Sequence, residues 1–334
     1  MRQMLEQLCN LPGGSGREKK VREYILTQIT PYCTCRVDAL GNIIAEKKGR
    51  NRAPQKILFS AHMDEVAFII TSVTDDGYLR FEPVGGIEPE AVVCRVLHVG
   101  DVQGVVGTKP VHLLTKAERE TPLSFDDLLI DIGAADREEA LSFVQPGDYA
   151  YFLPNYAAHD GKIVSKALDD RAGCMLLIEM IRSDLKYDCT FAFCVQEEVG
   201  LRGAGCVARQ VEPDVAVVVE TTTAGDLCGV TGAERVCVLG EGPVVSFMDG
   251  RTVYDHALYS KIMSAAKEAG IPVQTKTKIA GGNDAGALQT GASGAKVAAV
   301  SLPGRYIHGC AGVVSSKDLA AARQLLFQIM DQVL

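Results

Sequence analysis

No apolar run in the 334 residues approaches the roughly 18–20 needed to span a bilayer, and the opening MRQMLEQLCNLPGGSGREKK has no apolar signal core. No membrane partner is expected, and the reading is of a cytoplasmic protein. Basic runs are also missing. The 42 acidic residues against 34 basic ones leave a net charge of −8, and no aromatics are interleaved with lysine or arginine, so nucleic acid is not an expected partner. No Cys-x-x-Cys pair occurs. The 11 cysteines are odd in number and sit in apolar stretches such as AFCV and RAGCMLL, which argues against a disulfide framework or a cysteine zinc site. Most are expected to be reduced core residues. The GGNDAGA run at 281–287 lacks both G-x-G-x-x-G and G-x-x-x-x-G-K-[ST] spacing, so it reads as a tight loop near the substrate and not as a phosphate cradle. No internal repeat or low-complexity segment is present.

What remains is an ordinary globular composition, 47% apolar and 23% charged, on a chain long enough for two domains. LPGGSG makes a turn before a helical stretch from about 17 to 29, whose Val21, Ile25 and Ile29 share one face. KILFSAHMDE reads as a buried strand running into a polar loop. From about Phe68 the character shifts to short β-rich runs (FIITSV, YLRFEPV, AVVCRVLHV, VQGVVG) punctuated by DDG, GG and PGD turns. The chain is therefore divided into a first part of an α/β domain (1–67), an inserted β-rich module (68–161) and the second part of the α/β domain (162–334). In that second part, helix RAGCMLLIEMIRSDL, strand CTFAFCV, a helix near GAGCVARQ, strand VAVVVE, helix YDHALYSKIMSAAKEAG, a strand near PVQTKT, strand KVAAVSL and a helix from about Lys317 alternate. Uniformly apolar strands alternating with helices predict a sheet covered on both faces.

In open α/β sheets ligands bind beyond the carboxyl ends of the strands. The residues ending each apolar strand are chemically biased: His62 and Asp64 after KILFSA, Glu197 and Glu198 after CTFAFCV, Glu220 in VAVVVE, and His308 after KVAAVSLPGRYI, with Asp169 and Asp170 at the entrance of a helix. Two imidazoles and several carboxylates form a mixed nitrogen and oxygen donor set suited to zinc or a similar divalent ion. There are enough donors for two ions, with Asp169 as the natural bridge. Of the adjacent glutamates, one can bind metal while its neighbour stays free as a base. Asp64, two residues past His62, is expected to orient that imidazole through its other nitrogen. Singly, each residue has a plainer reading: a solvated loop for Glu197-Glu198, a core histidine for His62, helix caps for Asp169-Asp170. The convergence decides against those readings. His98, His112 and His256 are expected to be structural, and His159 lies at the module boundary.

AHMDEV, SKALDDRAG, VQEEVGLRGA, the E-T-T-x-A-G-D segment, GGNDAGA and PGRYIHG occur in the order found in metallopeptidase family forty-two, and over nearly its whole length the chain resembles these tetrahedral (TET) aminopeptidases, which include glutamyl and deblocking aminopeptidases. The resemblance implies a three-layer α/β/α zinc-exopeptidase (phosphopeptidase-like) domain with an inserted PDZ-like β domain, and a homo-oligomer, a dodecamer built from dimers. It implies two divalent ions per subunit, zinc or cobalt, held by His62, Asp169, Glu198, Glu220 and His308, with Asp169 bridging. Glu197 matches the general base and Asp64 the residue supporting the first histidine. The implied activity is removal of N-terminal residues from short peptides. Many relatives have aspartate at the position of Glu220 and glycine at that of Ala67. Asp284 and Glu220 are placed as partners for the substrate α-amino group, and Arg305 and Tyr306 as residues lining the cleft. The rival functions are a deacylase or carboxypeptidase using the same metals, a glycosidase, and a non-catalytic assembly protein. A glycosidase working through two carboxylates would give His62 and His308 no role.

Overall fold

The computed structural model describes residues 2–334. The chain opens with helices α1 (Arg2–Asn10) and α2 (Lys19–Ile29), then strands β1 (Thr34–Val37), β2 (Ile43–Lys47) and β3 (Ile57–His62). Six strands follow in the inserted module: β4 (Ala67–Val73), β5 (Leu79–Val84), β6 (Val96–Val99), β7 (Val102–Thr108), β8 (Leu128–Asp131) and β9 (Tyr149–Phe152), with short helices α3 (Lys116–Glu120) and α4 (Arg137–Phe143) between them. The return segment carries β10 (Ala157–His159), β11 (Lys162–Ser165), α5 (Leu168–Arg182), β12 (Cys189–Cys194), α6 (Arg202–Val211) and β13 (Val215–Thr223). The chain ends with β14 (Val244–Val245), α7 (His256–Glu268), α8 (Ala285–Thr290), β15 (Lys296–Arg305), β16 (Gly312–Ser315) and α9 (Ser316–Gln328).

The main sheet runs β1-β2-β12-β3-β13-β15-β16-β11-β10, with β14 added alongside β15. Its centre, β12-β3-β13-β15, is parallel, as the apolar strands alternating with helices predict. Successive residues of these strands point to opposite faces, and both faces are buried. Phe59, Phe191, Phe193, Val217 and Val300 join one core cluster with side chains of α1, α2, α5, α7 and α9. Their neighbours Leu58, Ala192, Cys194, Ala216, Val218 and Ala299 join another with α6 and α8. The first cluster is the larger because its helices present large aliphatic side chains. The second is built on Ala204, Val207, Ala208, Ala285 and Leu288.

The inserted module closes into a barrel, β4-β5-β8-β7-β6-β9. Phe68, Phe81 and Phe152 fill it edge to face at 5.4 Å centroid separation, a geometry that pairs the positive ring edge with the negative ring face. Its last strand ends at Phe152, and β10 already belongs to the main sheet, a few residues before the expected boundary at 161. The chain leaves the main sheet for the barrel after β3, which ends at His62, and rejoins it through β10 and β11, the second of which ends at Ser165, shortly before Asp169. Among the described residues no helix is long and apolar enough to cross a membrane.

Three local expectations need correction. PVQTKT is not a strand: only Gln274 bridges to Val244, its amide N–H and side chain tying Pro243, Val238 and Gly242 together. The amphipathic α1, with Leu5, Leu8 and Cys9 buried, and the β1–β2 hairpin were not anticipated. Only five of the cysteines are buried, while Cys94 and Cys228 are exposed, although all 11 are free thiols as expected.

Candidate metal centre

Every side chain named as a ligand arrives from the carboxyl edge of the parallel strands or from the start of α5. His62 ends β3, Glu197 and Glu198 follow β12, Glu220 lies near the end of β13, and His308 follows β15. The connecting backbone is sharply bent there: Ala167, Gln196, Tyr306 and His308 all have positive φ, between 54° and 60°. Non-glycine residues in that region cost of order 1 kcal/mol each and persist only where the surroundings hold them, a pattern common at functional sites.

The geometry divides into two groups that share one residue. Asp169 Oδ1 lies 3.2 Å from His62 Nε2, which is itself 3.3 Å from Glu220 Oε1. Asp169 Oδ2 lies 3.4 Å from His308 Nε2, which is 3.3 Å from Glu198 Oε2. Each triad, His62–Asp169–Glu220 and Asp169–Glu198–His308, brings one ligand atom per residue within 4.8 Å of the others, as does His62–Glu197–Glu198. The longer side chain of Glu220 still places Oε1 in the first group, where the Thr221 N–H also donates to it at 2.9 Å. The two aspartates divide the rival readings between them. Asp169 faces the histidines, whereas Asp170 caps α5 by accepting from the Gly173 N–H at 3.0 Å.

His62 Nδ1 donates to the Asp64 carbonyl at 3.1 Å, with the Asp64 carboxylate 3.5 Å away, so in the neutral ring Nε2 carries the lone pair. Asp64 therefore orients the ring mainly through its backbone. Its carboxylate does a job that sequence reasoning missed: Oδ1 accepts from the Glu197 N–H at 3.0 Å, and Oδ2 from the Glu198 N–H at 3.1 Å and the Ser15 hydroxyl at 2.7 Å. One carboxylate thus aims both glutamates. Burial works against its charge, but these donors and His62 hold its pKa below the usual value.

The cluster is strongly acidic, with His62 and Glu220 buried and Glu197, Glu198 and His308 half-buried. Burial and the repulsion of neighbouring carboxylates push Glu197 and Glu220 well up and Glu198 up to about 7, with His62 opposing. Burial opposes the charge on the histidines, yet Glu220 and Asp169 raise His62 well above its usual value, and Asp169 and Glu198 raise His308 to about 9. Among the described residues no lysine or arginine pairs with Asp169, Glu197, Glu198 or Glu220. Two imidazole nitrogens with four buried or half-buried carboxylates fit divalent cations in both charge and donor type.

The other named residues are placed differently. Arg305 is committed to Asp226 by a two-pronged pair, Nε at 2.7 Å and Nη2 at 2.6 Å, so its guanidinium is occupied and it does not line the cleft as expected. Asp284 is also not on the cleft wall. It is 1% exposed, neither oxygen has a hydrogen-bond partner, and the wall there is Asn283. Burial, reinforced by Asp64 and opposed by His62, raises its pKa to about 7. Tyr306, 57% exposed, flanks the Asp169–Glu198–His308 side. Gly281, Gly282 and Asn283 of the glycine-rich run, and Ala280 before it, line the cleft together with Lys276, which the sequence did not single out.

The profile of the M42 glutamyl aminopeptidase family matches residues 41–325, a span that contains every ligand in both triads. The chain belongs to the M42 peptidase family. A putative aminopeptidase of Acetivibrio thermocellus is 38% identical over 97% of both chains. The lysyl aminopeptidase of Pyrococcus furiosus is 29% identical, covering 99% of this chain and 97% of its own. The glutamyl aminopeptidase of Lactococcus lactis is also 29% identical, over 98% and 94%. Among solved structures, the Pyrococcus horikoshii TET1 peptidase, described as assembling into a tetrahedron or a large octahedral shell, superposes with a TM-score of 0.87 at 35% identity and 98% coverage of each chain. This M42 chain is a peptide hydrolase, an aminopeptidase, and membership implies use of a divalent metal.

Proposed function

We propose that the chain is a dinuclear-metal aminopeptidase that hydrolyses the N-terminal peptide bond of short peptides. The observation that carries this reading is the division of the Asp169 carboxylate, one oxygen toward His62 and Glu220, the other toward His308 and Glu198. With one oxygen toward each triad, Asp169 would help hold an ion in both, zinc or cobalt. The bound metals would supply an activated water and polarise the scissile carbonyl. Glu197, held by its own N–H on Asp64, takes the proton from the attacking water and delivers it to the leaving amine. Asp64 positions both Glu197 and the His62 ring. Glu220 lies beside the first site, where a substrate α-amino group would meet a carboxylate or the metal it holds, while buried Asp284 does not reach the cleft. Tyr306 borders the cleft on the second side.

The similarity to TET1 supports a homo-oligomer, a dodecamer built from dimers, in which the barrel is the PDZ-like insert and the helices on the two sheet faces are the outer layers of an α/β/α domain. The decisive experiment is hydrolysis of alanyl-, leucyl-, glutamyl- and lysyl-p-nitroanilides and their N-acetylated forms by metal-stripped protein, before and after zinc or cobalt is restored. Metal-restored cleavage confined to free-amine substrates supports the proposal. Equal cleavage of the acetylated set would replace it with a deacylase.

A further inference from the structure

One side chain in the cleft has the wrong sign for a metal ligand. Lys276 is 8% exposed and lines the same cavity, of about 130 Å³, as His62, Glu197 and Glu220. Its ammonium donates to the Ala280 carbonyl at 3.0 Å, and among the described residues no carboxylate lies within ion-pair distance. An ammonium carries three donors, and leaving a nearly buried cation incompletely satisfied is costly. Burial works against its charge, with Asp249, Cys237 and Glu220 offsetting from further off. A cation kept under these conditions in the wall of a substrate cleft is suited to an anion that arrives with the substrate.

The surroundings narrow that anion. Besides the residues of the metal centre and Lys276, the cavity is lined by Thr221, Thr222 and Thr223 at the end of β13, by the loop from Ala280 to Asn283 and by Ile307, its one large aliphatic side chain. The loop is fixed in place. The Gly250 N–H donates to the Gly281 carbonyl at 2.7 Å, and the Asn283 amide donates to the Tyr254 hydroxyl at 3.1 Å, which in turn donates to Asp249 at 2.6 Å. The ammonium is therefore presented by a preorganised support on the Glu220 side of the centre.

We propose that Lys276 is a specificity-determining residue that pairs with the side-chain carboxylate of the substrate's first residue, so that the enzyme prefers peptides beginning with glutamate or aspartate. The inference rests on the aminopeptidase reading above. Family membership does not supply it, because similar relatives include both a lysyl and a glutamyl enzyme. A lysine at the substrate N-terminus would meet Lys276 with like charge.

The test compares glutamyl- with glutaminyl-p-nitroanilide, which have nearly the same shape and differ in charge, on the metal-loaded enzyme. A charge-assisted contact of this kind corresponds to a ratio of kcat/KM of roughly 10- to 100-fold in favour of glutamyl. That ratio falls toward one in Lys276→Met, survives in Lys276→Arg, and gives way to a preference for lysyl over glutamyl in Lys276→Glu. A wild-type ratio near one, or a ratio that Lys276→Met leaves alone, overturns the proposal. Anilides have no C-terminal carboxylate, so comparing Ala-Ala with its amide isolates the other possible source of the anion. A Lys276-dependent preference seen only for the free acid overturns the side-chain assignment. If no anilide is cleaved in any metal, the aminopeptidase reading fails by itself, and calorimetry of L-glutamate against L-glutamine still judges Lys276: tighter glutamate binding that is lost in Lys276→Met supports it, and equal affinities refute it.

Discussion

Replacing Glu65 with glutamine removes one negative charge from beneath the metal centre and leaves two positive ones. Glu65 is 3% exposed. Its carboxylate accepts from Lys166 Nζ at 2.8 and 2.7 Å, from Arg171 Nη2 at 3.4 Å and from the Gly13 N–H at 3.1 Å. Lys166 is 2% exposed and Arg171 fully buried, so neither cation can turn to water. Removing one member of a buried ion pair typically costs about 3–5 kcal/mol, because the partner's charge is left uncompensated. Melting entropy scales with chain length and comes to about 0.7 kcal/mol per degree for a chain of this size, so Glu65→Gln is expected to lower Tm by about 4–7 °C. Scanning calorimetry at fixed metal concentration is the assay, since bound metal would itself shift Tm. Adding Lys166→Met removes the stranded ammonium. The double variant should therefore be more stable than Glu65→Gln alone, while Arg171 keeps its bonds to the Leu8, Leu11 and Met63 carbonyls. A Glu65→Gln protein melting within a degree of wild type, or strictly additive losses in the double variant, would refute the reasoning.

The metal centre and its surroundings yield further expectations. Glu197→Gln should retain metal, measured by elemental analysis, while kcat falls by roughly 10²–10⁴-fold; substantial residual turnover would reject Glu197 as the base. Asp169→Ala should empty both metal sites, whereas His308→Ala should leave the His62 site loaded, so the two variants separate in metal content per chain. Burial works against the Asp226 carboxylate, but Arg305 and the Leu239 N–H outweigh it and hold its pKa low. Its contribution to stability is therefore fully present above the unfolded value of about 3.9 and is lost as pH falls through the lower folded value. The Tm gap between wild type and Asp226→Asn should accordingly be constant near neutral pH and close on acidification below about 4, and a gap that widened instead would sink the assignment.

Much of the centre was readable from one dimension because the parallel strands are short apolar runs, and whatever charged residue ends such a run must emerge at the same edge of the sheet. That places His62, Glu198, Glu220 and His308 together without knowledge of the strand order. Arg305 failed the same logic. A position near a strand end says which edge a residue occupies but not which neighbour claims its side chain, and Asp226, 79 residues earlier, had already done so. PVQTKT failed because strand propensity over six residues does not show whether an edge is free to pair.

The order and chemistry of the strand-end residues, the α/β alternation and the β-rich interruption are local properties, and the sequence by itself determined them. The tertiary structure alone decided which oxygen of Asp169 faces which histidine, that Asp170 turns away to cap a helix, that the Asp64 carboxylate aims both glutamates with help from Ser15, and that Lys276 stands inside the cleft. Each of these depends on the distance and direction between groups far apart in the chain, such as Ser15 and Asp64 at 2.7 Å across 49 residues. Periodicity records which face of an element is buried. It carries no record of what that face meets.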